Sequence, residues 1–268
     1  MLTVKNIYEA IDAFAPFVSQ ETWDNSGLLV GSMDMPADRI LTTLDISATV
    51  IEEAKCRGVQ LIVSHHPVIF TPLKNILQNS PVYALATNRI AAICVHTPLD
   101  IAPEGLNAYA YTKLKLPLEL KGNPTVLEPT WTDGRGFGWI ADCCTALEPQ
   151  TLAERLEEYL GCSLVRYSSV ASHRKIRRIG YCSGAGGSML KLAAQQDCDA
   201  FITGDIKHDR WYAAEFLGVT LFDCGHFGTE QMAAEILCKK IQEAYENADV
   251  FSMPGDMPFR GIAGGVEK

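Results

Sequence analysis

The chain has 268 residues, of which 47% are hydrophobic and 21% charged, a composition typical of globular proteins with one large domain or two modest ones. Its 32 acidic and 23 basic residues give a formal net charge of -9, which disfavours nucleic acid as a partner because a phosphate backbone would be repelled. The sequence contains no apolar stretch near the ~20 residues that cross a bilayer, and its first residues do not form a signal-peptide pattern. We therefore expect a cytoplasmic protein without a membrane partner.

Short apolar runs rich in β-branched residues alternate with helical stretches, a pattern typical of an α/β fold with mainly parallel strands. In chain order we predict helix 4–14, strand 39–44, helix 48–57, strands 59–64 and 91–96, helix 151–160, strand 176–182, helix 188–196, strand 200–203, helix 211–216, strand 219–223 and helix 229–246. Between about 116 and 175 the composition shifts towards proline and glycine. We predict two interlocked α/β lobes without a flexible linker, residues 1–115 plus 220–268 and residues 116–219.

Five of the six histidines lie just past the end of a predicted strand. They are His65, His66, His96, His208 and His226. Burial alone explains polar residues at strand ends, but it does not select histidine. Because open α/β sheets bind ligands at the carboxyl ends of their strands, this placement predicts a shared functional site.

Imidazole and carboxylate together form the ligand set of zinc, manganese and iron. Candidate ligands are His65, His66, Asp100, His226 and Glu230. His226 and Glu230 are four residues apart, so a helix beginning near residue 227 would direct both side chains into one region. Five ligands exceed the needs of one tetrahedral site and suit two ions about 3.5–4 Å apart.

Structural roles are the alternative for each of these residues, since a single histidine in an α/β protein is more often hydrogen-bonded or solvated than a ligand. His173, in a charged stretch, is expected to be solvated, and Asp45 is expected to cap the following helix rather than to support the site. The glycines at 184 and 186 resemble a dinucleotide fingerprint, but Met189 occupies the position of the third glycine. We therefore favour a tight strand-to-helix connection over a phosphate site there.

Five short motifs follow one another along nearly the whole chain. They are Trp23-Asp24-Asn25-Ser26-Gly27-Leu28, Ser64-His65-His66-Pro67, His96-Thr97-Pro98-Leu99-Asp100, Thr203-Gly204-Asp205-Ile206-Lys207-His208 and Gly225-His226-Phe227-Gly228-Thr229-Glu230. Together they resemble the motifs of the YbgI-like dinuclear metal centre family, some of whose members carry the name GTP cyclohydrolase 1 type 2. The sequence departs from the family pattern at Pro98, where asparagine is usual, and at Asp209, where a second histidine often follows His208.

The resemblance implies two α/β lobes with two divalent ions (zinc, iron or manganese) in the cleft between them, and a ring-shaped homohexamer. The family ligands correspond to His65, His66, Asp100, His226 and Glu230, with Glu230 as the bridge.

The activity that the resemblance implies is hydrolysis of GTP at C8 of the guanine ring with release of formate. For this reaction His96 and His208 are the candidates for proton transfer, since histidine titrates near neutral pH. Two other hypotheses stay open: hydrolysis of a phosphoester or another nucleotide-like small molecule, and a protein that stores, delivers or senses metal, or acts as a scaffold, without turnover.

Overall fold

In the computed structural model, residues 1–168, 174–255 and 257 are described. They form two β-sheets, each flanked by helices. His173, predicted to be solvated, lies outside the described residues.

The first sheet is built mainly from parallel strands. It consists of β1 (Gly27–Val30), β2 (Arg39–Thr43), β3 (Leu61–Ser64), β4 (Ala91–Cys94) and β11 (Asp249–Ser252), in the order β1-β4-β3-β2-β11. β1 pairs antiparallel with β4, and the other neighbours are parallel. β3 and β4 are buried along their whole length, which explains why their sequences are continuous apolar runs rather than alternating ones.

Four helices accompany this sheet: α1 (Val4–Phe14), α2 (Ala48–Cys56), α3 (Pro81–Thr87) and, near the end of the chain, α10 (Ala233–Ala244). Two more helices, α4 (Thr97–Ile101) and α5 (Leu106–Lys115), follow β4 and contact the strand Gly136–Leu147 of the second sheet. α1 shows how local sequence sets these elements. The Thr3 side chain accepts a hydrogen bond from the Asn6 amide in a capping box, and Val4, Ile7 and Ile11 recur at helical spacing on the buried face.

The second sheet mixes strand directions. It consists of β5 (Thr125–Pro129), β6 (Gly136–Leu147), β7 (Arg166–Tyr167), β8 (Ile176–Tyr181), β9 (Ala200–Thr203) and β10 (Thr220–Asp223), in the order β5-β6-β8-β9-β10-β7. β8, β9 and β10 run parallel, whereas β5, β6 and β7 join antiparallel. Its helices are α6 (Pro149–Leu160), α7 (Leu190–Gln195), α8 (His208–Leu217) and α9 (His226–Glu230).

The predicted α/β class with two sheets is confirmed, with two differences in detail. Mainly parallel strands are found in the first sheet only. Residues 220–223, which we assigned to the first lobe, form β10 and pair with β9 in the second sheet, because this buried strand completes the parallel β8-β9-β10 set. The other lobe boundaries stay a prediction.

The predicted helix 229–246 is two helices, α9 and α10, separated at Gln231 and Met232. The Gln231 side chain donates a hydrogen bond to the Leu160 carbonyl, which ties the break to the end of α6. The break lets Glu230 lie apart from the apolar face of α10, where Ile236, Leu237 and Ile241 join the core. Within the part of the chain that the structure describes, no helix has the length and apolar character needed to span a membrane.

Candidate metal centre

The predicted ligands come together at the carboxyl ends of strands from both sheets. His65 and His66 follow β3, Asp100 lies in α4 after β4, and His226 and Glu230 are the first and last residues of α9, after β10. A cavity of about 700 Å³ opens at this point and is lined by residues from both halves of the fold. The strand-end pattern in the sequence therefore corresponds to a real convergence in space.

The Glu230 carboxylate lies at the centre of the cluster and is only 4% exposed. Its Oε2 is 2.9 Å from Nε2 of His66, 2.9 Å from Nε2 of His226 and 3.8 Å from Nε2 of His65. Asp100 Oδ1 lies 3.7 Å from the same His65 nitrogen. Three imidazole nitrogens and two carboxylates thus face one another across a few ångströms.

Each of the three histidines is held from behind by an acceptor at its other ring nitrogen. Nδ1 lies 2.9 Å from the Val95 carbonyl in His65, 2.8 Å from Asp45 Oδ1 in His66 and 2.8 Å from Asp205 Oδ2 in His226. This is the usual support of metal-binding histidines, since it fixes the tautomer and leaves Nε2 to bind the ion.

Asp45 was expected to cap α2, and this expectation is wrong. The cap is Ser47, whose side chain accepts a hydrogen bond from the Val50 amide. Asp45 is instead free to orient His66. Asp205, a residue of the fourth motif, has the same role towards His226.

A buried nitrogen without a partner tests whether these residues fit a metal. His65 is fully buried, and its Nε2 has no hydrogen-bond partner among the described residues. Leaving such a group unpaired costs about 1–3 kcal/mol, and a coordinated cation would satisfy it. The potential ligand atoms of His65, Asp100 and Glu230 lie within 4.8 Å of one another, as do those of His66, His226 and Glu230. The residues present therefore fit a divalent ion.

The ionisation of the cluster follows from its crowding. Burial by itself would raise the pKa of Glu230, but hydrogen bonds with His226 and His66, together with the nearby charge of His65, hold that pKa well below its usual range. Burial raises the pKa of Asp100 to about 6, although His65 opposes the shift. Burial lowers the pKa of His66, but its bonds to Asp45 and Glu230 outweigh this effect and raise the pKa to about 10.

Comparison with known proteins places this chain in a family. Residues 2–255 match Duf34/NIF3 (NGG1p interacting factor 3). The chain belongs to the Duf34/NIF3 family. A GTP cyclohydrolase 1 type 2 homolog of Clostridium acetobutylicum is 29% identical over 252 residues, covering 91% of each chain. The GTP cyclohydrolase 1 type 2 of Helicobacter pylori strain J99 is 31% identical over 247 residues, covering 88% of this chain and 92% of that one.

The solved structure of protein ybgI superposes with a TM-score of 0.83 at 22% identity, covering 96% of this chain and 100% of that one. At this identity the likeness shows the fold. The resemblance drawn from the five motifs is confirmed by these matches.

The two departures of this Duf34/NIF3 chain from the family pattern lie in different surroundings. Pro98 is buried in the first turn of α4, where a missing backbone N–H leaves no helix hydrogen bond unmade. Asp209 is exposed in the first turn of α8, 3.6 Å from Arg210 Nε. Neither residue belongs to the groups of possible metal ligands found among the described residues.

Of the two histidines predicted for proton transfer, the structure brings only His96 to the cluster. Its ring lies 5.2 Å from that of His65, and its Nδ1 is 2.9 Å from Asp24 Oδ1. His208 is exposed on α8, packs against Tyr212, and is not among the described residues that line the cavity. Because α8 begins at His208, this residue does not reach the site although it closely follows the end of β9.

Asp24 is the site residue that our sequence analysis missed. It accepts hydrogen bonds from Ser26 and Thr97 as well as facing His96. Burial by itself would raise the pKa of Asp24, but the hydrogen bonds from His96 and Thr97 lower it well below its usual range. The available signal was its place in the first motif, 23–28, which contains no other ionisable residue.

The glycine-rich segment after β8 packs closely against its neighbours. Its amides donate to side chains: Ser183 to Asn107, Gly184 to Thr229 and Gly186 to Thr203. Gly184 has φ +62°, and a Cβ there would overlap Oε1 of Glu230. The expected tight connection is therefore what the structure shows, and it allows the backbone to pass beside the central carboxylate.

Proposed function

We propose that this protein is a divalent-metal-dependent hydrolase that acts on a nucleotide-like small molecule. His65, His66, Asp100, His226 and Glu230 would hold two ions, and Glu230 belongs to two of the groups of possible ligands. The observation that carries the proposal is the unpartnered, buried Nε2 of His65, which lies within 4 Å of both Asp100 and Glu230. When bound, the ions supply a water of lowered pKa as a nucleophile at neutral pH.

The chain's own contribution to catalysis would come from His96 and Asp24. Asp24 accepts the Nδ1 proton of His96, which leaves Nε2 available to take a proton from, or return one to, a substrate in the cavity that His96 lines. The Asp24 carboxylate also stabilises the protonated ring that this exchange forms. A dedicated proton-transfer pair supports turnover over a role as a metal store, which would need no such pair.

GTP is the first candidate substrate because relatives covering most of the chain carry the name GTP cyclohydrolase 1 type 2. The reaction would be attack of water at C8 of guanine, opening of the imidazole ring and loss of formate. The native metal would be zinc, iron or manganese, all of which accept imidazole and carboxylate ligands.

Elemental analysis of protein purified without added metal or chelator tests the metal centre. We expect about two transition-metal ions per chain, and a sharp fall in Glu230→Gln. Glu215→Gln, which alters an exposed carboxylate on α8, is the matched control and should keep the wild-type content. Protein that takes up no zinc, manganese or iron on titration would contradict the proposal.

The activity is tested separately on protein shown to contain metal. We expect formate release from GTP, measured with formate dehydrogenase, in wild type and Glu215→Gln but not in Glu230→Gln. If no divalent metal supports formate release, GTP is excluded, and a panel of phosphoesters and nucleosides follows. Protein with two ions and no turnover on the panel would favour the metal-carrier hypothesis.

A further inference from the structure

One wall of the cavity is made of aromatic rings. The ring of Trp23 lies 6.1 Å from that of Phe70 and 5.8 Å from that of His96, and the rings of Phe70 and His96 are 6.2 Å apart. Trp23 is 56% exposed and Phe70 51% exposed, although both line the cavity. Folding leaves these apolar ring faces in contact with solvent, and such open faces suit stacking against a planar ligand.

Residues from the second half of the fold also line the cavity. Phe137 and Met189 contribute half-buried apolar surface, and Glu128 and Thr130 add polar atoms from β5 and the turn that follows it. A heteroaromatic ring in the cavity would therefore have apolar side chains available besides Trp23 and Phe70. Its ring N–H groups would have the Glu128 carboxylate as an acceptor.

In the metal-free protein, the charge of the lining opposes a polyphosphate. Glu21, Asp45, Asp100, Glu128 and Glu230 contribute five carboxylates, whereas no lysine or arginine lines the cavity among the residues that the structure describes. Sites that bind nucleotide phosphates ordinarily use arginine, lysine or a cradle of free amides. The histidines cannot substitute, because His66 and His226 are each bonded to carboxylates through both ring nitrogens.

Three amides of the glycine-rich segment are already occupied and cannot contribute to such a cradle. The amides of Ser183, Gly184 and Gly186 already donate to side chains of the protein. Arg210 is close to this segment, with its Cγ 3.8 Å from where a Cβ of Gly187 would lie, but its guanidinium is directed to Asp209 at 3.6 Å.

We propose that the cavity recognises the planar, uncharged or cationic heteroaromatic ring of its ligand, stacked on Trp23 and Phe70, whether or not the ligand carries phosphates. The chain itself adds no affinity from substrate phosphates, so a nucleoside binds the metal-free protein more tightly than its triphosphate. This inference rests on the proposed function only in placing the ring beside the same metal centre.

The test is titration calorimetry of chelator-treated protein with guanosine and GTP, and with adenosine and ATP. Within each pair the ligands share a base and differ in phosphates. We expect each nucleoside to bind at least about tenfold more tightly than its triphosphate, because the carboxylates of the lining repel the triphosphate group. Tighter binding of the triphosphates, or binding of neither nucleoside, would overturn the proposal.

Variants assign the binding to the aromatic wall. Trp23→Leu should weaken nucleoside binding by about tenfold or more, whereas Trp23→Phe should keep most of the affinity because it retains a ring face. Leu77→Ala removes an equally exposed apolar side chain that does not line the cavity, and it should bind like wild type. Unchanged affinity in Trp23→Leu, with a changed mass by light scattering, would show that Trp23 is a subunit contact and overturn the assignment.

The remaining alternative is that Arg210 binds the phosphates of the ligand, and Arg210→Gln tests it. If this substitution weakens GTP binding by about tenfold, the protein does recognise phosphate and the proposal fails. Failure here is distinguishable from failure of the metal centre, because metal content is measured by elemental analysis without any organic ligand. Protein with two ions and a preference for GTP would retain the proposed function and lose only this inference.

Discussion

In this site the candidate ligand side chains are each oriented by a second group behind them. The candidate ligands meet at Nε2 atoms, and the acceptors behind them, Asp45, Asp205 and the Val95 carbonyl, occupy the Nδ1 atoms. His96 repeats this arrangement with Asp24, and its ligand atom lies within 4.8 Å of those of His65 and His66. Its position is compatible with proton transfer and with metal binding, and the two roles make different predictions.

We expect His96→Gln to keep two ions per chain and to lower the hydrolytic rate by about 10²–10⁴, since its role is proton transfer. Elemental analysis and a rate assay on the same preparation provide the two readouts. Glu215→Gln again serves as the control. If the variant instead lost one ion per chain, His96 would be a metal ligand.

The lowered pKa of Asp24 predicts how the free energy of unfolding depends on pH. Its folded pKa lies well below the unfolded value of ~3.9, so its ionised form stabilises the native state above that value, and this contribution is lost as the pH falls towards the folded pKa. Asp24→Asn should therefore cost about 1–3 kcal/mol at pH 7, because buried partners lose a charged acceptor.

Urea unfolding at a series of pH values measures this cost. The difference between wild type and Asp24→Asn should be constant near neutrality and shrink below about pH 4. Asp34→Asn, on an exposed turn, should show no such trend. A difference that grows in acid would mean that the network stabilises protonated rather than ionised Asp24.

At the scale of elements, the segment that joins β8 to α7 sets how closely the two halves of the site approach. Gly184 passes so near Glu230 that a Cβ would overlap the carboxylate, and its φ of +62° favours glycine. By contrast, a Cβ at Gly187 would make only an ordinary contact with Arg210. The two glycines form a matched pair on one short segment.

Gly184→Ala should displace Glu230 and lower the metal content clearly below that of wild type, with an added backbone cost of about 1 kcal/mol. Gly187→Ala should keep wild-type metal content. Elemental analysis with circular dichroism on both variants measures the effect and checks the fold. Full metal content in Gly184→Ala would contradict this prediction, because it would show that the Glu230 carboxylate can accommodate a Cβ at position 184.

The elements that the sequence predicts well are those whose pattern is set by burial. β3, β4, β9 and β10 are buried at every position, and β2 and β8 at most positions. The predicted ends of these six strands differ from the observed ones by two residues or fewer. The pattern fails in the antiparallel part of the second sheet. β6 carries exposed polar positions such as Asp142 and Cys144 on its open face, so its sequence does not read as a buried strand.

The same logic separates the predictable from the unpredictable parts of the site. The ligand candidates follow buried strands, and strand ends of parallel sheets converge. The supporting acceptors Asp24, Asp45 and Asp205 lie in connections whose paths depend on tertiary contacts. His208 shows the limit of the rule, because α8 begins at that residue and leaves it exposed rather than facing the cavity.

At the scale of the molecule, the candidate metal centre joins segments that follow strands of two different sheets. His65, His66 and Asp100 follow strands of the first, whereas His226 and Glu230 follow β10 of the second. Bound ions would therefore link the halves of the fold by bonds that the metal-free protein lacks. The ring-shaped hexamer implied by the motifs stays a prediction, which mass measurement in solution can test.

This linkage predicts that metal raises the stability of the whole fold. An ion at 100 times its dissociation constant stabilises the state that binds it by about 2.7 kcal/mol, which for a chain of this size raises the Tm by about 5–10 °C. Thermal unfolding of chelator-treated protein, with and without manganese, measures the shift. Glu230→Gln should shift by far less, because the central carboxylate is missing, and Glu215→Gln should shift like wild type. A wild-type Tm unchanged at saturating metal would contradict this prediction, because it would mean either that the ions bind the unfolded chain as tightly as the native one or that the observed transition belongs to a half that unfolds independently of the site.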